Sequence, residues 1–160
     1  MTEQEFNELF RAHLAEISSF ISRRAPVSDV EDLAADLFAL AWQKRKSIPT
    51  GFELPWLYKT ARFLISNHNR KQAGRRAILA TFQEPVAAPS AESVAMADLE
   101  LSQAWQRLTA KDREILGLWA FEGLDSKSLA VVIEKSENAA AIALSRAKSK
   151  LMSYLENENL

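Results

Sequence analysis

Residues 108–151 read LTAKDREILGLWAFEGLDSKSLAVVIEKSENAAAIALSRAKSKL, and the punctuation of this stretch decides the fold. Thr109 and Asp112 have capping-box spacing, in which an N-cap hydroxyl and an acidic side chain three residues on satisfy amides at a helix start. The helix that follows carries Ile115, Leu116, Leu118 and Trp119 and stops at Gly123, placed as a C′ glycine. Leu116 and Trp119 are assigned to the core. A short helix covers about Ser126 to Ile133. Glu134 and Lys135 make a tight connection, and Ser136 caps a last helix holding Ala139, Ala140, Ile142, Ala143, Leu144, Ala147 and Leu151. A glycine-stopped helix, a short helix, a tight turn and a longer helix outline a helix-turn-helix.

Working outward, a helix from about Val94 to Arg107 precedes this motif. Before it, residues 84–93 read EPVAAPSAES. Prolines, alanines and serines without a large apolar face read as a linker. The chain upstream is helical again. Thr2 and Glu5 have capping-box spacing, and Phe6, Leu9, Phe10, Leu14, Ile17 and Ile21 fall at three- and four-residue steps until Pro26. Ser28 and Glu31 repeat the capping box. The helix they open has Val30, Leu33, Leu37, Phe38, Ala41 and Trp42 on one side. Asp29, Asp32 and Asp36 line the other, and Lys44-Arg45-Lys46 follows. Ser47 to Leu54 is a loop containing Pro49, Thr50 and Gly51. Pro55 suits the first turn of a third helix reaching Gln72, with Trp56, Leu57, Ala61, Leu64 and Ile65 inward. A further short helix holds Ile78, Leu79 and Phe82. No strand-type alternation and no internal repeat is present. The expected fold class is all-α, with small helical domains over residues 1–82 and 94–160 and a linker over 83–93.

Composition narrows the function. The chain has 160 residues, 48% hydrophobic and 26% charged, a globular balance. Its 4 Gly and 5 Pro are too few for a loop-rich all-β fold. The absence of Cys removes disulfides, thiolate catalysis and Cys-based zinc sites. His13 and His68 are too few for a His-rich metal site. No nucleophile–base pair, catalytic carboxylate pair or phosphate loop is evident, so the expectation is a non-enzyme without cofactor. No stretch approaches the roughly 18 apolar residues of a membrane span, and the acidic start, Met1 to Phe6, lacks signal-peptide order. A cytoplasmic protein is expected.

The net charge is −1, but the charge is unevenly placed. Between Lys59 and Arg76 stand Lys59, Arg62, Arg70, Lys71, Arg75 and Arg76 with no acid among them. Trp56, Tyr58 and Phe63 lie in or beside this stripe. Aromatics among cations suit single-stranded nucleic acid, because bases stack while cations neutralise phosphate. A solvated basic helix with core aromatics fits the charge pattern equally. The last helix offers Glu137, Asn138 and alanines in its first turns. Arg146, Lys148 and Lys150 come later, where phosphate contact suits them better than base readout. An alanine-rich helix packed on its neighbours or on a protein is the other reading.

Taken in order, these parts resemble a bacterial RNA polymerase sigma factor of the sigma-70 family, in the extracytoplasmic-function (ECF) group. The resemblance rests on Val30-Glu31-Asp32-Leu33 through Phe38 and Trp42, on Trp56-Leu57-Tyr58 with Ala61-Arg62, and on Leu108 to Leu151 with Ser145-Arg146-Ala147-Lys148. It implies a region-2-like first domain, in which Asp32, Leu33, Asp36 and Phe38 dock on the β′ clamp helices of core polymerase. It implies that Ser47 and Ile48 belong to a loop taking a flipped base of the minus-ten promoter strand. Tyr58, Lys59, Arg62, Phe63 and Arg70 would carry the melted strand, while Trp56 is assigned to the core. It implies a region-4-like second domain meeting the minus-thirty-five element and the β flap, with Ser136, Asn138, Arg146 and Lys148 toward DNA. It further implies control by an anti-sigma factor.

The chain also departs from the family pattern. Ala35 stands where Gln is usual, Phe63 where Asn is frequent and Asn67 where Asp is frequent. Ala139, Ala141 and Ala143 replace what are commonly Thr, a base and Arg. Fewer cations predict weaker or assisted minus-thirty-five binding. Two other classes fit less of the chain: a sigma-mimic or anti-sigma-binding interaction protein without DNA binding, and a dimeric helix-turn-helix regulator of duplex DNA.

Overall fold

The computed structural model describes residues 1–73, 86–90 and 98–158. Its described residues form seven α-helices and no strand: α1 Glu3–Ser22, α2 Val30–Gln43, α3 Glu53–Gln72, α4 Leu99–Arg107, α5 Ala110–Ala120, α6 Ser126–Ile133 and α7 Glu137–Glu158. The chain divides into two compact units, Met1–Pro85 and Val86–Leu160. The all-α class with two helical domains is therefore what the sequence adopts. The expected short helix at Ile78, Leu79 and Phe82, the basic residues Arg75 and Arg76, and the expected helix start at Val94 lie outside the described residues.

In the first unit, α1 packs on α2 and α3, and α2 packs on α3. The Thr2–Glu5 capping box forms in both directions: Thr2 Oγ1 accepts from the Glu5 amide (3.1 Å), and the Thr2 amide donates to Glu5 Oε2 (2.7 Å). Leu9, Ile17 and Ile21 are buried as the spacing predicts, while Phe10 stays exposed. Aromatic pairs join the helices: Phe6 on Trp42 (5.1 Å between centroids), Phe10 on Phe38 (4.8 Å) and Phe20 on Tyr58 (4.8 Å). Each fully buried side chain such as Phe20, Leu37 or Leu57 contributes about 1.5–3 kcal/mol. Arg24 is buried too. Its Nη1 donates to the Phe20 carbonyl (2.9 Å), and its guanidinium lies 3.8 Å from the Phe20 ring centre.

The second predicted capping box, Ser28–Glu31, does not form. A 3₁₀ turn over Val27–Asp29 precedes α2, so Asp29 rather than Ser28 occupies the N-cap position. The Asp29 carboxylate makes no cap bond and instead meets His68 Nε2 of α3 at 3.0 Å. A long-range partner has displaced a local one. α3 begins at Glu53, two residues before Pro55, and ends at Gln72 as expected.

In the second unit, α7 packs against α4, α5 and α6. Its core includes Trp105, Leu108, Leu116, Leu129, Val132, Ala140, Leu144 and Ala147. Asp98 caps α4, accepting from the Glu100 amide at 2.9 Å. Residues 86–90, read as part of a linker, are held: Ala87 and Pro89 are buried, and the Pro89 carbonyl accepts from Trp105 Nε1 at 3.3 Å.

The Thr109–Asp112 box closes on one side only. Thr109 Oγ1 accepts from the Asp112 amide (3.2 Å), but Asp112 Oδ2 bonds Lys150 Nζ of α7 at 3.0 Å. Aspartate is one methylene shorter than the glutamate that reaches back in a full box. Gly123 adopts φ +68° where α5 ends. α6 matches the predicted span, and Glu134 takes the left-handed conformation (φ 56°) with the Lys135 amide donating to Ala130 O at 3.1 Å. Ser136 Oγ accepts from the Ala139 amide (3.0 Å) and so starts α7. These parts assemble the helix-turn-helix outline.

Candidate functional site

Three surfaces follow from this framework, and each is described within its own unit. On α2, Asp32 and Asp36 are exposed, one turn apart, beside exposed Glu31 and Ala35. Leu33 and Phe38 are buried, because positions 33, 34, 37, 38 and 41 form the inward stripe. Leu33 therefore serves the core, whereas Phe38, though buried, also forms part of the floor of a surface groove. An apolar surface is still present, and the sequence reading missed it. A groove of about 490 Å³ runs along α1 and α2, lined by Phe10, Leu14, Val27, Val30, Ala34 and Phe38. Val27 is 85% exposed at its edge. The signal available was Val27, a large apolar residue that belongs to no inward stripe.

The second surface is the outer side of α3. Lys59 is half-buried, Phe63 is 37% exposed, Asn67 and Lys71 are exposed, and Arg70 is half-buried. Spacings of three and four place these on one side of the helix. Arg70 is oriented by its neighbours, Nη2 donating to Ser66 Oγ at 3.0 Å. Past Glu53 the helix carries no acid, so the surface is cationic around an exposed aromatic. Tyr58 and Arg62, expected here, are buried instead. They lie on the inward stripe with Ala61 and Ile65, and Tyr58 packs on Phe20. Trp56 is buried, as assigned.

The connection into α3 holds Ser47 and Ile48. Ser47 is exposed at the end of a 3₁₀ turn over Arg45–Ser47, and Ile48 is buried. Gly51 has φ +87°, and its amide donates to Glu53 Oε1 at 3.0 Å, which tightens the turn. A cavity of about 630 Å³ opens beside it, lined by Ile48, Thr50, Arg45 and Lys46 with Glu5 and Glu8 of α1. Arg45 is stacked on Trp42, its guanidinium 3.9 Å from the ring centre.

The third surface belongs to the helix-turn-helix. Asn138 and Arg146 are exposed on α7, as is Ser136, whose hydroxyl is spent as the cap. Lys148 departs from expectation: its ammonium lies 3.8 Å from the ring centre of Trp119. Trp119, assigned to the core, is 43% exposed and forms the base of this cation–π pair. Lys150 is paired with Asp112. Asp125 caps α6, and its carboxyl is held below the usual aspartate range by the Ser128 amide first and the Ser128 hydroxyl second. Among the described residues no group of three or more His, Cys, Asp or Glu could hold a metal ion, and no helix is long and apolar enough to cross a membrane.

With this geometry in hand, the relatives are informative. No family model matches the chain. It is 32% identical over 139 residues to the probable RNA polymerase sigma factor RfaY of Xanthomonas campestris pv. campestris, covering 81% of this chain and 34% of that protein. It is 26% identical over 144 residues to the RNA polymerase sigma factor NccH of Alcaligenes xylosoxydans xylosoxydans, covering 84% of this chain and 77% of that protein. The chain thus spans about a third of the length of RfaY. Among solved structures it resembles the sigma factor RpoE from Bartonella quintana, in complex with the anti-sigma factor NepR. That match has a TM-score of 0.63 at 24% identity and covers 96% of this chain and 98% of the other. It also resembles CnrH, in complex with the cytosolic domain of CnrY, with a TM-score of 0.64 at 21% identity over 98% of this chain and 90% of the other. The chain is similar in sequence to proteins named as sigma factors, and it shares the fold of these structures over nearly its full length.

Proposed function

We propose that this chain is an ECF-type sigma factor, which binds core RNA polymerase and directs it to promoters without covalent chemistry of its own. The observation that carries the reading is the pairing, in one chain, of an acid-free α3 surface centred on Phe63 with a helix-turn-helix in a second unit. The first suits a melted single strand and the second a duplex. The similarity to proteins named as sigma factors supports the same reading.

In this reading the carboxylates of Asp32 and Asp36, beside the apolar groove on α1 and α2, meet the β′ clamp helices. An acidic rim and an apolar floor complement a basic, amphipathic helical partner. Ser47, the cavity beside Ile48, Lys59, Phe63 and Arg70 handle the minus-ten strand. Base extraction costs a few kcal/mol, which stacking and phosphate neutralisation offset. Asn138 and Arg146 serve the minus-thirty-five duplex, and the β flap meets the second unit. The protein works in the cytoplasm, and an anti-sigma factor holds it inactive.

Binding to purified bacterial core polymerase tests this. The account expects submicromolar affinity, weakened about tenfold or more (about 1.4 kcal/mol) by joint Asp32→Ala and Asp36→Ala substitution. Absence of binding at micromolar concentration overturns it. One observation favours a second reading, a sigma-like interaction protein that does not bind DNA: Lys148 and Lys150 of α7 are both engaged within the unit. Core binding together with failure to bind any promoter duplex or fork would select that reading.

A further inference from the structure

The outer face of α7 has an unusual composition for a helix that enters a DNA groove. Ala140, Leu144 and Ala147 are buried and fix which way the helix faces. At 100° per residue, Asn138, Ile142, Ser145 and Ser149 lie opposite them, and all four are exposed. Ile142 sits near the middle of this face and is 42% exposed, a large apolar side chain presented to solvent. The face carries no charge at its centre. Arg146 flanks it, exposed on the same helix, and Lys127 and Lys135 are exposed on α6 and in the turn.

Major-groove edges differ in what they ask of such a face. Guanine presents two acceptors and calls for Arg or Lys. Thymine presents a C5-methyl, which calls for an apolar contact, and adenine presents the donor–acceptor pair that suits Asn. A neutral face built from Ile142 and Asn138, with cations only at its margins, matches A·T pairs and leaves a guanine edge unsatisfied.

We infer that Ile142 is a specificity-determining residue that packs on thymine methyl groups, so that the duplex met by α7 is A·T-rich at the steps facing Ile142, with Asn138 taking a neighbouring adenine. The inference rests on the proposed DNA-binding role of this unit and assigns its ligand: a duplex recognised largely through methyl groups. It also gives the missing cations a rationale, since apolar readout needs no base on the helix centre.

The test uses the full chain bound to core polymerase. Duplexes randomised upstream of a fixed minus-ten region are selected for binding, and each thymine of the selected sequence is then replaced by deoxyuridine, which deletes only the methyl. The expected result is enrichment of A·T pairs and an affinity loss of about fourfold for each contacted methyl, from about 0.8 kcal/mol per buried carbon. The Ile142→Ala variant should bind more weakly and be indifferent to deoxyuridine. Because Ile142 is exposed and alanine is the best helix former, circular dichroism should show an unchanged fold. Selection of a duplex on which deoxyuridine has no effect, or an equal effect with Ile142→Ala, overturns the inference while leaving DNA binding intact. Failure to select any duplex by a chain that does bind core overturns the DNA-binding role and this inference with it.

Discussion

The ammonium of Lys148 in α7 stands 3.8 Å from the centre of the Trp119 ring in α5. A cation in that position is shared with an aromatic face and is worth about 0.5–1 kcal/mol to the packing of two helices. It is correspondingly less available to a phosphate. Arg146, two residues earlier, is exposed. Replacing Arg146 by alanine should therefore lower the salt slope of duplex binding by about 1, whereas Lys148→Ala should leave the slope nearly unchanged and lower stability instead. Affinity measured across a salt series, beside denaturant unfolding, separates the two. Equal slopes for both variants would contradict the assignment.

Phe63 sets a different expectation. It is 37% exposed, so Phe63→Ala removes a partly buried ring and should cost about 1–2 kcal/mol of stability while leaving the fold intact. Stacking of one base on an aromatic ring is worth about 1–3 kcal/mol, so the same change should weaken binding of a forked DNA with an unpaired minus-ten strand about tenfold. The measurement is made with polymerase carrying the variant. Unchanged fork binding would rule out the strand-binding role proposed for Phe63.

Asp125 gives the acid dependence a direction. Its carboxylate accepts from the Ser128 amide at 2.9 Å, and that bond holds its pKa below the usual range. A depressed pKa stabilises the fold above the unfolded pKa, and the contribution is lost as pH falls through the folded one. Asp125→Ala should cost about 1 kcal/mol at neutral pH, and Asp125→Asn much less. The small gap between wild type and Asp125→Asn should close below about pH 4. Urea midpoints across pH check this.

Glu134 holds a left-handed conformation at the turn between α6 and α7. That conformation costs a residue with a side chain about 1–2 kcal/mol, part of which glycine returns as chain entropy. Glu134→Gly should raise the unfolding free energy of the second unit by about 0.5–1 kcal/mol. A lower value would mean that the Glu134 side chain contributes more than its backbone loses.

Much of the fold was legible because helix ends are local. Thr2, Ser136 and Gln72 mark boundaries that the structure keeps, and α6 spans the predicted residues. Ser28 failed because the choice between it and Asp29 was settled by a preceding 3₁₀ turn and by His68, 39 residues away. Surface assignment was harder. Tyr58 and Arg62 carry polar groups that suggest exposure, yet their register follows Ala61 and Ile65 inward. Trp119 suggests burial, yet it stays at the surface under Lys148. The resemblance placed Tyr58 and Arg62 outward and residue type placed Trp119 inward, whereas helical phase relative to the buried stripe gives the observed side in each case. The groove on α1 and α2 was hidden for a related reason, since it needs two helices at once.

The central claim is that this chain makes core polymerase start at particular sites. Its most direct test is transcription of a fragmented bacterial genome by core polymerase with and without the purified chain, reading the 5′ ends of the RNA. The account predicts discrete start sites that appear only with the chain and share upstream sequence at two spacings. Core polymerase that binds the chain yet yields the same starts as core alone would contradict it.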